Sequence, residues 1–478
     1  MDGIAARFAR DQFGAADLGD ERLNARLVSI AEQLAAHPNV TFPKRFQDPA
    51  DLEAFYRFAK NKRVSHTKLM ALHTEVTLNR MRATPGVVLL LQDTTILDYS
   101  GLTAIKDLGQ IGNGHGRGLY CHNCLAVEAS TRQVIGLAGQ ILHRRRQAPK
   151  GERRKARKDD PHRESKLWTT MSKSLPALPA DHALGQLWVE VGDRGSDILE
   201  YMDYVDQAGK SYVVRSKHDR WIEWENPGKT GVSASVVEPV VEKVKLHELA
   251  RSLPAVGTHA IEVQAKTGQK ARTAEVSVSW SEVTILPPRQ KRGDERGIPL
   301  KSWVVRVAET NAPAGCEALE WILLSNVPVS TLADALERIE WYRMRWIVEE
   351  YHKAQKTGVD IESMQFTKRV RLENAIALLS VTAVLLLSLR DQSRAPDAKT
   401  RPATDCVPRL WVRLLSNWRH QEVKMDWSIY DFFFALARLG GHQNRKDDHP
   451  PGWLILWRGW MHLQVMLDGA AAVGVTEM

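Results

Sequence analysis

Apolar residues recur along this chain with two different periods, and the changes between them divide it. In the first seventy residues the period is helical: Leu23, Leu27, Ile30 and Leu34 fall on one face, with Arg22 and Arg26 turned elsewhere. A second helix carries its own start signal. Asp48 can cap it, Pro49 suits the first helical position, and Asp51 favours the positive end of the helix dipole. It runs through Leu52, Phe55, Tyr56 and Ala59 into Lys60, Lys62 and Arg63. After Pro85 the pattern changes to short continuous apolar runs. GVVLLLQD (86–93) and LWVEVGD (187–193) each read as a strand buried on both faces and closed by an Asp. Residues 119–127, 133–142 and 212–217 are further strands, and a helix is expected from Ser196.

Strands interleaved with helical segments indicate an α/β core. From about 225 to 315 the chain is β-rich with Gly and Pro punctuation. Val276, Val278 and Trp280 alternate with Ser277 and Ser279, and 303–307 forms another strand. This stretch reads as an antiparallel β subdomain inserted into the α/β core. Helices return from Leu332 and dominate to the Trp-rich end, with a polar, Pro-bearing link at 392–403. The expected organisation is therefore a helical domain over 1–70, an α/β domain over 71–392 that carries the β insertion, and a helical domain over 393–478. The longest uncharged apolar stretch, 375–389, is fifteen residues. A membrane span needs about 20, so a buried core helix is the better reading and no membrane partner is expected.

Composition adds little to that picture except in its charge. Hydrophobic residues make up 43% and charged residues 26%, as in a globular protein, and four cysteines cannot form a disulfide framework. The first residues lack the apolar core of a secretion signal, so a cytoplasmic location is expected. The net charge of +9 favours a polyanionic partner, and most of the surplus is local. Residues 144–163 hold ten Lys and Arg against Glu152, Asp159 and Asp160, reading as an exposed loop that either grips DNA or is merely solvated. The basic edge of the N-terminal helices suits DNA equally, though a solvated charged face would look the same. Cys121 and Cys124 have a CxxC spacing without a second pair nearby, which favours packing over zinc.

The most informative segment is WYRMRWIVEEYHKAQKTG, 341–358. On an uninterrupted helix Tyr342, Arg345, Glu349, Lys353 and Lys356 would share an arc of about 80°, opposite Met344, Ile347, Val348 and Tyr351. A surface helix with i,i+4 ion pairs shows such a stripe too. The mixture is what suggests more: a carboxylate can hold a metal while flanking Arg, Tyr and Lys grip phosphate oxygens. Asp93 and Asp193 each close a buried strand, where α/β sheets place catalytic groups. With Glu349 they could form a three-carboxylate site for two divalent ions.

Those residues carry a resemblance. Tyr-x2-Arg-x3-Glu-x6-Lys (Tyr342, Arg345, Glu349, Lys356), QDTT (92–95) and VGDRGSDI (191–198) occur in the order found in bacterial DDE transposases of the insertion-sequence-four family. DLGD (17–20), VVRSKH (213–218), EWILLS (320–325) and GWLILWRGWMHLQVMLDG (452–469) extend the resemblance nearly end to end. It implies a ribonuclease-H-like catalytic core with the β subdomain inserted between Asp193 and Glu349, flanked by N- and C-terminal helical domains. It implies that Asp93, Asp193 and Glu349 bind two Mg²⁺ ions, with Mn²⁺ able to substitute. Tyr342, Arg345 and Lys356 would hold the backbone phosphate beside an extruded base, and Trp321 would stack that base. Lys353, Arg194, Arg215 and Arg26 are further expected DNA contacts. The activity implied is cut-and-paste transposition: excision through a hairpin intermediate, then joining of 3′ ends to target DNA. The partners would be transposon terminal inverted repeats, target DNA and a second copy of the chain, joined through the C-terminal helices. A catalytically silent DNA-binding regulator and a metal-dependent nuclease without strand transfer are the alternatives.

Overall fold

The computed structural model describes residues 3–37, 41–46, 48–146, 160, 162–179, 181–233, 236–263, 271–288, 298–445 and 450–474. The basic stretch 144–163 lies mostly outside the described residues. In chain order the elements begin with α1 (Ile4–Phe13), α2 (Glu21–Ala36), α3 (Phe42–Arg45), α4 (Pro49–Lys60) and α5 (His66–Ala83). Then come β1 (Val87–Asp98), β2 (Gly109–Gln110), β3 (Arg117–Glu128), β4 (Val134–His143), α6 (Leu167–Ser174), β5 (Leu187–Gly192), α7 (Leu199–Gln207) and β6 (Ser211–Arg215). The next stretch holds β7 (Trp221–Ser233), β8 (Val236–Lys245), α8 (Leu246–Ser252), β9 (Gly257–Val263), β10 (Arg272–Ile285), β11 (Leu300–Glu309) and β12 (Glu320–Ser325). The chain ends with α9 (Leu332–Met344), α10 (Trp346–Lys353), α11 (Arg369–Ser393), α12 (Arg409–His420), α13 (Ile429–Leu439) and α14 (Trp453–Ala472).

Two compact units are assembled from separated stretches. One comprises Met1–Thr84, Thr94–Arg154 and Ile347–Met478; the other comprises Pro85–Asp93 and Lys155–Trp346. β1 contributes to both.

In the first unit, α2 and α4 form where the apolar spacing places them. Asp20 accepts from the Arg22 and Leu23 amides and Asp48 from the Ala50 amide, so each helix is capped by its own sequence. The central element is α11, whose most apolar stretch is long enough to cross a membrane but is 89% buried inside the protein. A helix apolar all round belongs in a core, and here it packs against α2, α4, α5, α14 and β4. Asn374 on α11 donates to the Ala59 carbonyl at 3.1 Å, tying α4 to that core. Near the C-terminus α13 and α14 approach closely where Gly440 follows α13 and Gly459 lies on α14: a Cβ on Gly459 would stand 1.8 Å from the Leu436 carbonyl oxygen. Trp453, Trp457 and Trp460 are buried, so these rings are core rather than a nucleic-acid platform. Cys121 and Cys124 are buried on β3 and not joined in a disulfide, three residues apart and so on opposite strand faces.

His73 on α5 links α1 to β4 within this unit. Its Nδ1 lies 2.6 Å from Gln12 Oε1, and its Nε2 accepts from the Leu137 amide at 2.9 Å. An Nε2 that accepts is unprotonated, so the ring is neutral, and burial together with Arg80 pushes its pKa down to about 3. The unfolded chain then binds a proton that the fold does not. Stability is therefore expected to fall as pH drops below the ordinary 6.5, with a slope of up to about 1.4 kcal/mol per pH unit from this group. Urea unfolding at pH 7.5 and 5.5 checks it: His73→Gln should show a shallower loss than the unaltered chain.

The second unit holds a sheet in the order β1-β5-β6-β12-β11-β10-β7-β8, with β9 also paired to β10. β1–β5 and β5–β6 are parallel, whereas β6–β12, β12–β11 and β11–β10 are antiparallel. The antiparallel strands expected between 225 and 315 thus continue the parallel ladder edge to edge, because β12 pairs β6 on one side and β11 on the other. The helix α8 among them was not expected. Trp168 on α6, Tyr201 on α7 and Leu246 on α8 are buried together with Val214, Val304 and Ile322 of the sheet.

Three local expectations change. β1 does not stop at Asp93 but runs five residues further to Asp98, since the β-branched Thr94, Thr95 and Ile96 continue the strand. After Asp193 comes a 3₁₀ turn, Arg194–Ser196, and the helix starts only at Leu199. The stripe over 341–358 is not one regular α-helix: α9 ends at Met344, α10 begins at Trp346, and Ala354–Gly358 is a π-helical turn. A π turn alters the angle per residue, so Lys356 leaves the phase predicted for it.

Candidate active site and DNA-binding module

Parallel pairing of β1 with β5 sets the two aspartates. The register runs from Val87↔Leu187 to Leu91↔Val191 without interruption. Two further steps bring Asp93 level with Asp193, one residue past the end of β5. Neighbouring strands lie about 4.8 Å apart, so extending this register puts the two aspartate positions side by side at the C-terminal end of a parallel pair. The Asp193 side chain accepts from the Gly195 amide at 2.7 Å, which fixes the turn after β5. Arg194 beside it is exposed.

A line of contacts leads away from Asp93. Arg345 Nη1 lies 3.4 Å from Asp93 Oδ2, and its guanidinium stands 6.0 Å from the centre of the Tyr342 ring. Tyr342 in turn meets Trp321 edge to face at 5.2 Å. Four residues singled out from the sequence are thereby brought together in the second unit. Arg215, at the end of β6, donates to the Glu320 carbonyl at 2.9 Å, next to Trp321. The Glu320 carboxylate takes Arg251 at 2.7 Å and Arg306 at 3.0 Å; those hydrogen bonds, Arg251 first, hold its pKa down to about 2.

The remaining candidates belong to the first unit. Glu349 is half-buried on α10 and Lys353 is exposed. Lys356 Nζ lies 3.4 Å from Glu362, whose Oε1 also accepts from the Asp98 amide. Glu350, the neighbour that could rival Glu349, is paired with the buried Arg390. That bond gives Glu350 a structural role. Arg26 is paired with Asp51 at 2.8 Å, both half-exposed.

Among the described residues no three His, Cys, Asp or Glu side chains form a ready cluster for a metal ion. The donor chemistry nonetheless fits a hard divalent cation: Asp93 and Asp193 offer carboxylate oxygens, the ligand type that Mg²⁺ and Mn²⁺ take.

One residue escaped sequence reasoning. Glu190, within the apolar run of β5, is 1% exposed and accepts from Ser172 at 2.6 Å, Gln92 at 2.7 Å and Tyr201 at 2.9 Å. Its signal was a charge at a buried strand position. Burial pushes its pKa up, opposed by those donors and Lys210.

The N-terminal helices enclose an aromatic cluster. Phe55 is fully buried, 4.7 Å from Phe42 and 5.3 Å from Phe46, and Phe366 joins at 5.9 Å from Phe42. Arg45 is buried beside them and donates to the Val359 carbonyl at 2.6 Å; burial lowers its pKa to about 10. Lys44, Arg57, Lys60, Lys62, Arg63 and Lys68 are exposed around this core. A small helical body with a basic exterior is suited to the phosphates of a duplex. Residues 5–64 match a family model described as transposase DNA-binding, which supports a transposase that binds DNA.

Proposed function

We propose that this chain is a cut-and-paste DDE transposase of the insertion-sequence-four kind, acting on transposon ends. The observation that carries the reading is the level placement of Asp93 and Asp193, with Arg345 on Asp93, in a chain that has a transposase DNA-binding module. The parallel β1–β5–β6 ladder and the antiparallel β3–β4 pair after β1 suit a ribonuclease-H-like core. Asp93, Asp193 and Glu349 would hold two divalent ions, Mg²⁺ or Mn²⁺, whose chemistry is to activate an attacking oxygen and stabilise a leaving one.

The chain's own residues do the rest. Arg345 and Lys356 grip backbone phosphate oxygens, Arg345 by its planar fork and Lys356 as a point charge. Tyr342 hydrogen-bonds alongside them. Trp321 offers a ring face to an extruded base, a contact worth about 1–3 kcal/mol. Lys353, Arg194 and Arg215 add positive charge near the strand, and Arg26 does so in the end-binding module. Two copies, joined through the C-terminal helices, would hold two ends together. The element is freed by hydrolysis and a hairpin intermediate, and its 3′ ends are joined to target DNA.

The test is purified protein with Mg²⁺ and DNA bearing the candidate terminal repeats, beside Glu349→Ala, with products resolved on denaturing gels. Nicks and hairpin ends at the repeat boundary, absent in the variant, are expected. Specific binding without cleavage by the unaltered chain would instead make it a regulator. Cleavage that survives Glu349→Ala would remove Glu349 from the site.

A further inference from the structure

We infer that Glu190 and Gln92 are positioning residues that lock the register of β1 against β5, and so keep Asp93 and Asp193 level. The inference rests on the roles proposed for those two aspartates.

The argument starts from what apolar packing leaves undecided. β1 reads VVLLL and β5 reads LWV before Glu190, so both strands are apolar on both faces. A slip by two residues keeps every side chain on its own face and replaces one aliphatic contact by another. Hydrophobic burial therefore specifies this register weakly. A displacement of two residues would nevertheless carry Asp93 about 6.6 Å along its strand, away from Asp193.

Glu190 supplies what the aliphatic residues do not. It pairs in register with Leu90, and its Oε2 accepts from Gln92 Nε2 at 2.7 Å, two residues further along β1. This is a cross-strand tie next to Asp93 in sequence. Side chains alternate along a strand, so Gln92 and Glu190 occupy the face opposite Asp93 and Asp193. The same carboxylate accepts from Ser172 on α6 and Tyr201 on α7, and Lys210 Nζ lies 3.9 Å away. Four separate segments thus converge on one buried carboxylate in β5. Leu or Val would fill that space without the cost of desolvating a charge, and a buried charge is poor evidence for stability as such. Its directional bonds do something an aliphatic side chain cannot: Ser172 and Tyr201 fix the carboxylate in place, and the bond from Gln92 to it is lost if β1 slides.

The experiment reads register directly, in the full chain, without relying on catalysis. Asp93→Cys/Asp193→Cys is treated with a short bifunctional thiol reagent, and the 93–193 cross-link is quantified by peptide mass spectrometry. Adding Gln92→Leu is expected to reduce the cross-link at least threefold at temperatures well below the melting midpoint. Adding Glu190→Gln, which keeps an acceptor for Gln92, should leave it within a factor of two. If Gln92→Leu does not fold, Gln92→Met takes its place. An unchanged cross-link in the Gln92 variant that folds, whatever its melting temperature, would overturn the inference and leave Glu190 a stability element only. Calorimetric titration of Mn²⁺ into the chain without the cysteines separates the two readings. Tenfold weaker binding in Gln92→Leu than in the unaltered chain is expected. No Mn²⁺ binding by the unaltered chain, together with a register-dependent cross-link, would remove the metal reading and leave the register lock standing.

Discussion

Asp193→Asn is expected to abolish cleavage of end DNA, lowering its rate by at least ~10²-fold, while DNA binding stays within a factor of two. The lower bound is what losing a single preorganised electrostatic group costs other enzymes. Asn is nearly isosteric with Asp and keeps the oxygen that accepts from the Gly195 amide, so the turn after β5 should survive. What it loses is the charge. A position level with Asp93 at the end of a parallel pair needs that charge only if a cation or a developing charge sits there. Loss of cleavage with an unshifted melting temperature would therefore assign Asp193 to the chemistry. Gel assays of cleavage and mobility-shift assays of binding, run on one preparation, decide it. Unchanged cleavage would sink the three-carboxylate reading. Asp93→Asn is a less clean probe, because it also weakens the ion pair with Arg345.

Much of this was legible in the sequence wherever a local rule was sufficient. Asp20, which was not singled out, and Asp48, which was, cap their helices by the same short-range bond. The runs ending at Asp93 and Asp193 read as buried strands because VVLLL in the first and LWV and Val191 around Glu190 in the second leave no polar face. The fifteen-residue apolar stretch 375–389 is inside the core helix α11, as its length suggested. What was not legible depends on partners distant in sequence. Arg345 faces Asp93 across 252 positions, and Gln92 meets Glu190 across 98. The turn at Arg345 and the π-helical turn at Ala354–Gly358 have no local signature, since every residue in that stretch except Gly358 is an ordinary helix former. The helical wheel therefore grouped five side chains on one face of a helix that is in fact interrupted twice. Trp321 was placed only by resemblance; its contact with Tyr342 is a property of how β12 and α9 pack.

Phe55→Ala is expected to destabilise the first unit by about 3–5 kcal/mol and to weaken end-DNA binding at least tenfold. The energy follows from removing a fully buried ring from a close-packed cluster, where transfer and cavity terms add. Phe55 touches more than its own helix: Phe42 and Phe46 belong to the matched DNA-binding segment, while Phe366, 6.4 Å away, comes from the far end of the chain. Asn374 holds the Ala59 carbonyl and Arg45 holds that of Val359, so the module is fastened to α11 and to the loop before it by directional bonds as well. Phe55 is the hydrophobic part of that attachment. Its loss should free α4 and the exposed Arg57, Lys60, Lys62 and Arg63 from a fixed arrangement. A DNA-binding surface that must be ordered at the moment of binding spends part of its interaction energy on that ordering. Urea unfolding of the full chain and a mobility shift at constant salt would measure the two effects on the same protein. A stability loss without a binding loss would mean that the basic surface keeps its shape without this anchor, and that DNA contact lies away from α4.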